Sequence, residues 1–266
     1  MTNQPICMFD SGIGGLTVLK KLSDKFPDEN YIYLADLARV PFGDRTAEDI
    51  KKIVCEIIEW LNKFKPKLII MACNTSSAVL CQQGRINPAP TVPTHGIIQS
   101  CAKEIGNSTF KKVSVWATKL VVEKHGYKDA INNYNPNIAV EEISCPKLVP
   151  MIESLNFDDS AIKEYIELIP EDSECLILGC THYPHIEKDI KKLRNIEIID
   201  PADALVKDLE KYLTESRGVV NHVSTDERHN ISLYTTAQKE KLEKFARLYL
   251  CGDYSTKLVT LSKVSA

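Results

Sequence analysis

Two apolar runs, Leu68-Ile69-Ile70-Met71-Ala72 and Cys175-Leu176-Ile177-Leu178-Gly179, each stop at a cysteine, Cys73 and Cys180. A polar turn follows each one, Asn74-Thr75 and Thr181-His182, and then a helical pattern. A short, continuous apolar run reads as a strand buried on both faces, and such strands belong to parallel sheets covered by helices. The rest of the chain supplies those helices. Strand-like segments at 6–9, 31–35, 68–72, 113–117, 175–179, 196–199 and 231–235 alternate with amphipathic stretches. The clearest stretch starts at Thr46 with Asp49 as a capping signal. It carries Ile50, Ile53, Val54, Ile57, Leu61 and Phe64 on one stripe and stops at Pro66. Two more run over 158–169 and 237–250, the latter with Leu242, Phe245, Ala246 and Tyr249 on one side. This alternation predicts an α/β, doubly wound fold with mainly parallel sheets.

The two cysteines lie 107 positions apart, and so do Ser11 and Thr118, which follow the strand-like segments 6–9 and 113–117. One offset relating two pairs of strand ends predicts two similar α/β domains facing each other around a shared cleft. The Pro-rich stretch from Pro88 to Pro93 is the natural first crossing between them, and a second is expected near 200–210. The expected division is 1–95 plus 208–266 for one domain and 96–207 for the other. In doubly wound sheets ligands bind beyond the carboxyl ends of the strands, which is where both cysteines fall.

The net charge of −3 offers no footprint for nucleic acid or an anionic membrane surface. Basic pairs such as Lys51-Lys52 and Lys191-Lys192 sit in helical patterns and cover solvated faces. No run approaches the roughly 18 apolar residues that span a bilayer. The start, Met1-Thr2-Asn3-Gln4-Pro5, has no basic region of the kind that opens a signal peptide. Nine cysteines, an odd number at irregular spacing, argue against a disulfide framework and for a reducing cytoplasm. A zinc site from Cys73, Cys180 and His182 lacks the paired spacing of structural zinc sites, so no metal is expected.

Asp10-Ser11-Gly12-Ile13-Gly14-Gly15 follows the first strand and opens a helix, a turn suited to holding a carboxylate or phosphate. It has neither dinucleotide spacing nor the lysine of a P-loop. Asp10 also reads as a simple turn former. A thiol at a helix start has its thiolate favoured by the free N–H groups, which singles out Cys73 and Cys180. Cys7, Cys55, Cys101, Cys145, Cys175 and Cys251 read as small apolar residues, and Cys81 stays undecided. His182, two positions after a strand-end cysteine, reads as an acid/base helper. His95, His125, His185, His222 and His229 carry no such signal.

Taken together, Phe9-Asp10-Ser11-Gly12-Ile13-Gly14-Gly15-Leu16-Thr17-Val18, Ala38-Arg39-Val40-Pro41-Phe42-Gly43, Ala72-Cys73-Asn74-Thr75, Val149-Pro150 with Glu153, and Leu178-Gly179-Cys180-Thr181-His182-Tyr183-Pro184 resemble the glutamate racemases of the aspartate/glutamate racemase superfamily. The resemblance implies two α/β domains around a buried site and no cofactor. It implies a two-base reaction in which Cys73 takes the α-proton of D-glutamate and Cys180 that of L-glutamate. Asp10 would assist Cys73, and His182, oriented by Glu153, would assist Cys180. Ser11, Phe42, Gly43, Asn74, Thr75, Thr118 and Thr181 would hold the substrate's charged groups. The expected partners are an acidic amino acid and, as a homodimer, a second copy of the chain, with no nucleic acid and no membrane. The expected role is supply of D-glutamate for peptidoglycan.

Two positions depart from the family pattern. Val121 stands where a second threonine follows the one at Thr118, and Phe42 stands where tyrosine is usual. Both fall where the family grips its substrate, so a racemase of another acidic amino acid such as aspartate, or a related enzyme with an altered pocket, is the alternative. A binding protein on the same scaffold has no need of Cys73, Cys180, Asp10 and His182 together. A pyridoxal-phosphate racemase needs a lysine in a phosphate-binding context, and the chain shows none.

Overall fold

The computed structural model describes residues 4–82, 85–86, 91–154, 158–217, 230–251 and 253–261. The strands are β1 (Ile6–Asp10), β2 (Tyr31–Ala35), β3 (Leu68–Met71), β4 (Cys81–Gln82), β5 (Arg85–Ile86), β6 (Thr94–Gly96), β7 (Lys112–Ala117), β8 (Ala139–Ser144), β9 (Cys175–Gly179), β10 (Glu197–Ile199), β11 (Ile231–Thr235) and β12 (Tyr254–Leu258). Six form one sheet in the order β12-β11-β2-β1-β3-β6, and four form another in the order β10-β9-β7-β8. Every pairing in these two sheets is parallel, and β4 and β5 make a small antiparallel ribbon. All residues of β1, β2, β3 and β9 are buried, as central strands covered on both faces must be.

The repeat is real at the level of register. The run β2-β1-β3-β6 in one sheet has the same order as β8-β7-β9-β10 in the other. Ile6 faces Leu68 and Val113 faces Cys175, so the 107-residue offset carries one strand pair onto the other. Strands β11 and β12 extend the first sheet and bring the end of the chain back to it.

Local signals hold where they were strong. Thr46 caps the helix Ala47–Asn62, its side chain accepting from the Asp49 N–H at 3.1 Å, and Ile50, Ile53, Val54, Ile57 and Leu61 are its buried stripe. Phe64 lies past its end. The helices Asp159–Glu167, capped by Asp158, and Lys239–Tyr249 also form as expected. The crossing expected near 200–210 falls on a helix, Pro201–Arg217, packed on Gly15–Lys25 and Ile97–Gly106. This helix is amphipathic, with Leu205, Leu209 and Leu213 buried. The stretch 88–93 lies partly outside the described residues, as do His222 and His229 entirely.

One apolar core runs from Met8, Tyr33 and Ile70 on the first sheet to Val113, Val115 and Ile177 on the second. Burial of each such side chain contributes about 1.5–3 kcal/mol, so the two sheets are held as one body. Cys7, Cys101, Cys145 and Cys175 are buried as expected, but Cys55 is only half-buried and Cys251 is exposed. Cys251 follows the last helix, where the apolar pattern has already ended. Among the described residues no helix is long and apolar enough to cross a membrane.

Candidate active site

The carboxyl ends of β1, β3, β7 and β9 converge on one cleft. Asp10 ends β1, Cys73 follows β3 by two residues, Thr118 follows β7 and Cys180 follows β9. Ser11, Phe42, Gly43, Cys73, Asn74, Thr75, Thr118, Cys180, Thr181 and His182 line the same cavity. Asp10 and Glu153 stand just behind it, Asp10 against Thr181 and Glu153 against His182. All twelve residues singled out in the sequence are therefore gathered at one place. Among the described residues no group of three His, Cys, Asp or Glu side chains is arranged to hold a metal ion.

Cys73 is the cap residue of the helix Asn74–Leu80. Burial, followed by the nearby Asp10 carboxylate, pushes its thiol up to about 11, against hydrogen bonding by the Ser76 N–H and by the Ser76 and Ser11 hydroxyls. Asp10 is fully buried, and burial raises its own pKa despite the pull of His182 and of its hydrogen bonds. Its Oδ2 accepts from the Gly15 N–H at 2.9 Å and the Gly12 N–H at 3.3 Å. Two N–H groups of the glycine turn are thus taken by the protein's own carboxylate. The turn-former reading of Asp10 and its place beside the thiol are both true. Thr181 Oγ1 also donates to Asp10, so the carboxylate ties the first cysteine's side of the cleft to the second's.

Gly14 explains why the turn must be glycine-rich. A Cβ there would lie 2.5 Å from Thr181 Oγ1, 2.8 Å from His182 Nδ1 and 2.9 Å from the Thr181 carbonyl carbon. The turn lets the segment after Cys180 come into contact with the segment after β1.

The second cysteine is built differently. Cys180 does not open an α-helix: a 3-10 turn, Tyr183–Ile186, comes first, and the helix Glu187–Leu193 only after it. Its Sγ lies 3.7 Å from His182 Nδ1. His182 Nε2 lies 3.0 Å from Glu153 Oε1, and Lys241 Nζ lies 2.6 Å from Glu153 Oε2. Burial disfavours the imidazolium, but hydrogen bonds and charge from Cys180 and Glu153 outweigh it and raise His182 to about 10. Burial likewise works against the Glu153 carboxylate, and the His182 and Lys241 partners overcome it and hold it at about 2. A cation, an anion and a second cation thus run in file from the Cys180 sulfur to the helix Lys239–Tyr249.

Across the cleft Thr75 Oγ1 and Thr118 Oγ1 are 3.0 Å apart. Val121 does not face the cleft. It is fully buried in the apolar core and is not among the lining residues. Phe42 does line the cavity, its ring packed into the core beneath the helix Ala47–Asn62. The cavity also has walls the sequence did not single out: Asp44, Lys119, Cys145 and Pro146. Cys145, read as a core residue, follows directly on β8 and so sits at the carboxyl end of the sheet like the others. That signal was hidden because β8 itself was not read as a strand. His125 and His185 pair with Glu142 and Tyr249, and His95 lies 3.6 Å from Asp208, all away from the cleft.

The Asp/Glu/Hydantoin racemase family model matches residues 16–209. Glutamate racemase 3 of Caldanaerobacter subterraneus subsp. tengcongensis is 33% identical over 97% of this chain and 96% of its own length. A Lactobacillus acidophilus glutamate racemase is 35% identical over 96% of this chain and 97% of its own. The crystal structure of the Francisella tularensis glutamate racemase in complex with D-glutamate superposes with a TM-score of 0.87 at 31% identity, covering 99% of this chain and 100% of that one. The chain belongs to the Asp/Glu/Hydantoin racemase family, on its glutamate racemase branch, and is an isomerase.

Proposed function

We propose that this protein interconverts L- and D-glutamate without a cofactor, with Cys73 and Cys180 as opposed bases. The observation that carries the reading is the pair of thiols at matching strand ends of a repeated sheet, lining one cavity, each beside its own ionisable group. Cys180 takes the α-proton of L-glutamate while Cys73 delivers one to the opposite face, and the roles reverse for D-glutamate. Asp10 serves the Cys73 side. His182, held by Glu153, sets a cation beside the Cys180 sulfur. The α-carbon is a weak acid, so the carbanion forming there is stabilised by donors aimed at the adjacent carboxylate. Ser11, Asn74, Thr75 and Thr118, with the backbone at Phe42, Gly43 and Thr181, supply them. The substrate's own ammonium adds a positive charge that favours a thiolate in this dry cleft.

The cellular reading is supply of D-glutamate to peptidoglycan in the cytoplasm by a homodimer. Its nine free cysteines suit a reducing compartment. The domain division 1–95 plus 208–266 against 96–207 is supported by β11 and β12 joining the first sheet; its second boundary falls within the helix Pro201–Arg217.

Circular dichroism of the purified protein with L- and with D-glutamate, no cofactor added, tests this directly. Both signals should decay to zero, and in D2O the product should carry deuterium at the α-carbon. Decay with aspartate but not glutamate would move the substrate to the alternative, and no decay with any acidic amino acid would sink the reading.

A further inference from the structure

Asn74 lines the cleft and is only 3% exposed. Its Oδ1 accepts a hydrogen bond from the Tyr127 hydroxyl at 2.6 Å, while its Nδ2 is buried with no hydrogen-bond partner. A buried, unpaired donor is a rarity that needs a reason, and a ligand is one. The amide can present either end to the cleft, and Tyr127 decides which. Burial keeps the phenol protonated, far above its usual range. Among the described residues Asn74 is the hydroxyl's one hydrogen-bond partner, so turning the amide over would strand the phenol proton.

Tyr127 is itself held from several sides. Its backbone N–H donates to Glu142 Oε1 at 3.0 Å. Its ring lies against the strand end before Cys180, where a Cβ on Gly179 would come within 2.9 Å of Tyr127 Cε2. One fully buried side chain therefore spans from the residue after Cys73 to the residue before Cys180.

We infer that Tyr127 is a positioning residue: its hydroxyl fixes Asn74 so that the amide NH2 faces the cleft and receives a carboxylate of the amino-acid substrate. This rests on the racemase reading above. Tyr127 does not touch the substrate; it acts through Asn74.

Tyr127→Phe keeps the ring and removes the proton that orients the amide. The KM for L- and for D-glutamate should each rise roughly tenfold or more, the range expected for one hydrogen bond to a charged group, with kcat changed less. Asn74→Ala should raise both KM values too, and adding Tyr127→Phe to it should raise them no further, because the two residues act as one unit. Wild-type KM values in Tyr127→Phe, or effects that simply multiply in the double variant, would overturn the inference. If Tyr127→Phe does not fold, Asn74→Asp answers instead. It keeps the acceptor for Tyr127 and replaces only the donor, so both KM values should rise in a folded protein, and unchanged values would overturn the assignment. If the wild-type protein turns over another acidic amino acid and not glutamate, that substrate enters the same cycle with the same expected result. Failure of the substrate reading and failure of the Tyr127 role are thus separate outcomes.

Discussion

Glu153→Gln keeps the shape of the group that holds His182 and removes its charge. His182 stands at about 10 against an ordinary 6.5, which at about 1.4 kcal/mol per tenfold is roughly 5 kcal/mol in favour of the imidazolium. Two partners, Cys180 and Glu153, supply this against burial. Loss of the Glu153 charge should remove about half, some 2.5 kcal/mol, and bring His182 down toward about 8. The alkaline limb of kcat/KM should fall by about two pH units. At pH 7 the variant should stay near wild type, and at pH 9 it should lose about tenfold. The substrate ammonium also titrates in the alkaline range, but it is common to both proteins, so their difference is the readout. Stability follows the same groups. His182 is raised on folding, so its pairing stabilises fully below about 6.5 and fades as pH rises toward 10. Glu153 is lowered to about 2, so its contribution is complete above about 4.5 and fades as pH falls toward 2. Melting temperature in the variant should lose this plateau between about 4.5 and 6.5. Alkaline limbs that coincide in the two proteins, measured by circular dichroism from pH 6 to 10, would refute the argument.

Cys73→Ser and Cys180→Ser should each abolish efficient racemisation while leaving the fold intact; normal turnover by either would refute the two-base assignment. Gly14→Ala should lower both melting temperature and activity, because its Cβ would meet Thr181 and His182 at 2.5–2.9 Å; wild-type behaviour would show that the turn has room to spare. Val121→Thr buries a hydroxyl in the apolar core and should cost about 1–3 kcal/mol of stability by denaturant unfolding, with no gain in kcat/KM for glutamate. A clear gain would put position 121 back at the substrate.

What the sequence disclosed follows from how each element meets water. Central strands such as β1, β3 and β9 are covered on both faces and read as unbroken apolar runs. Edge strands do not: β8 carries Glu141 and Glu142 among half-wet residues, β12 reads Tyr-Ser-Thr-Lys-Leu, and β6 has only three residues. The site was legible for a related reason, since most of its residues directly follow central strands. Glu153 was named only through the resemblance, its helix having no periodic signal of its own. Lys241 and Tyr127 left no local mark at all. Each matters through one contact with a residue 88 or 53 positions away, and such a contact has no expression in spacing or composition. Val121 misled because positions three apart share a face only inside a helix: Thr118 is the extended cap before the helix Lys119–Glu123, so it lines the cleft while Val121 is buried in the core.

The repeated scaffold delivers two sulfurs to equivalent places, yet their surroundings are unlike. Cys73 has a buried carboxylate that its own backbone neighbours hold, while Cys180 has an imidazolium, a carboxylate and a lysine in line. This asymmetry meets a thermodynamic limit. Enantiomers have equal free energy, so the equilibrium constant is one and kcat/KM must be the same in both directions for any variant. Damage to one side therefore cannot appear as a one-way loss of kcat/KM. It appears in how the common barrier divides. Asp10→Asn should slow proton transfer at Cys73, and Glu153→Gln, at the alkaline pH where His182 loses its proton, that at Cys180. Each should change the balance between the α-deuterium isotope effects measured from D- and from L-glutamate, and in opposite senses. If both variants shift that balance the same way, Asp10 and His182 do not serve separate thiols, and the division of labour drawn from the geometry is wrong.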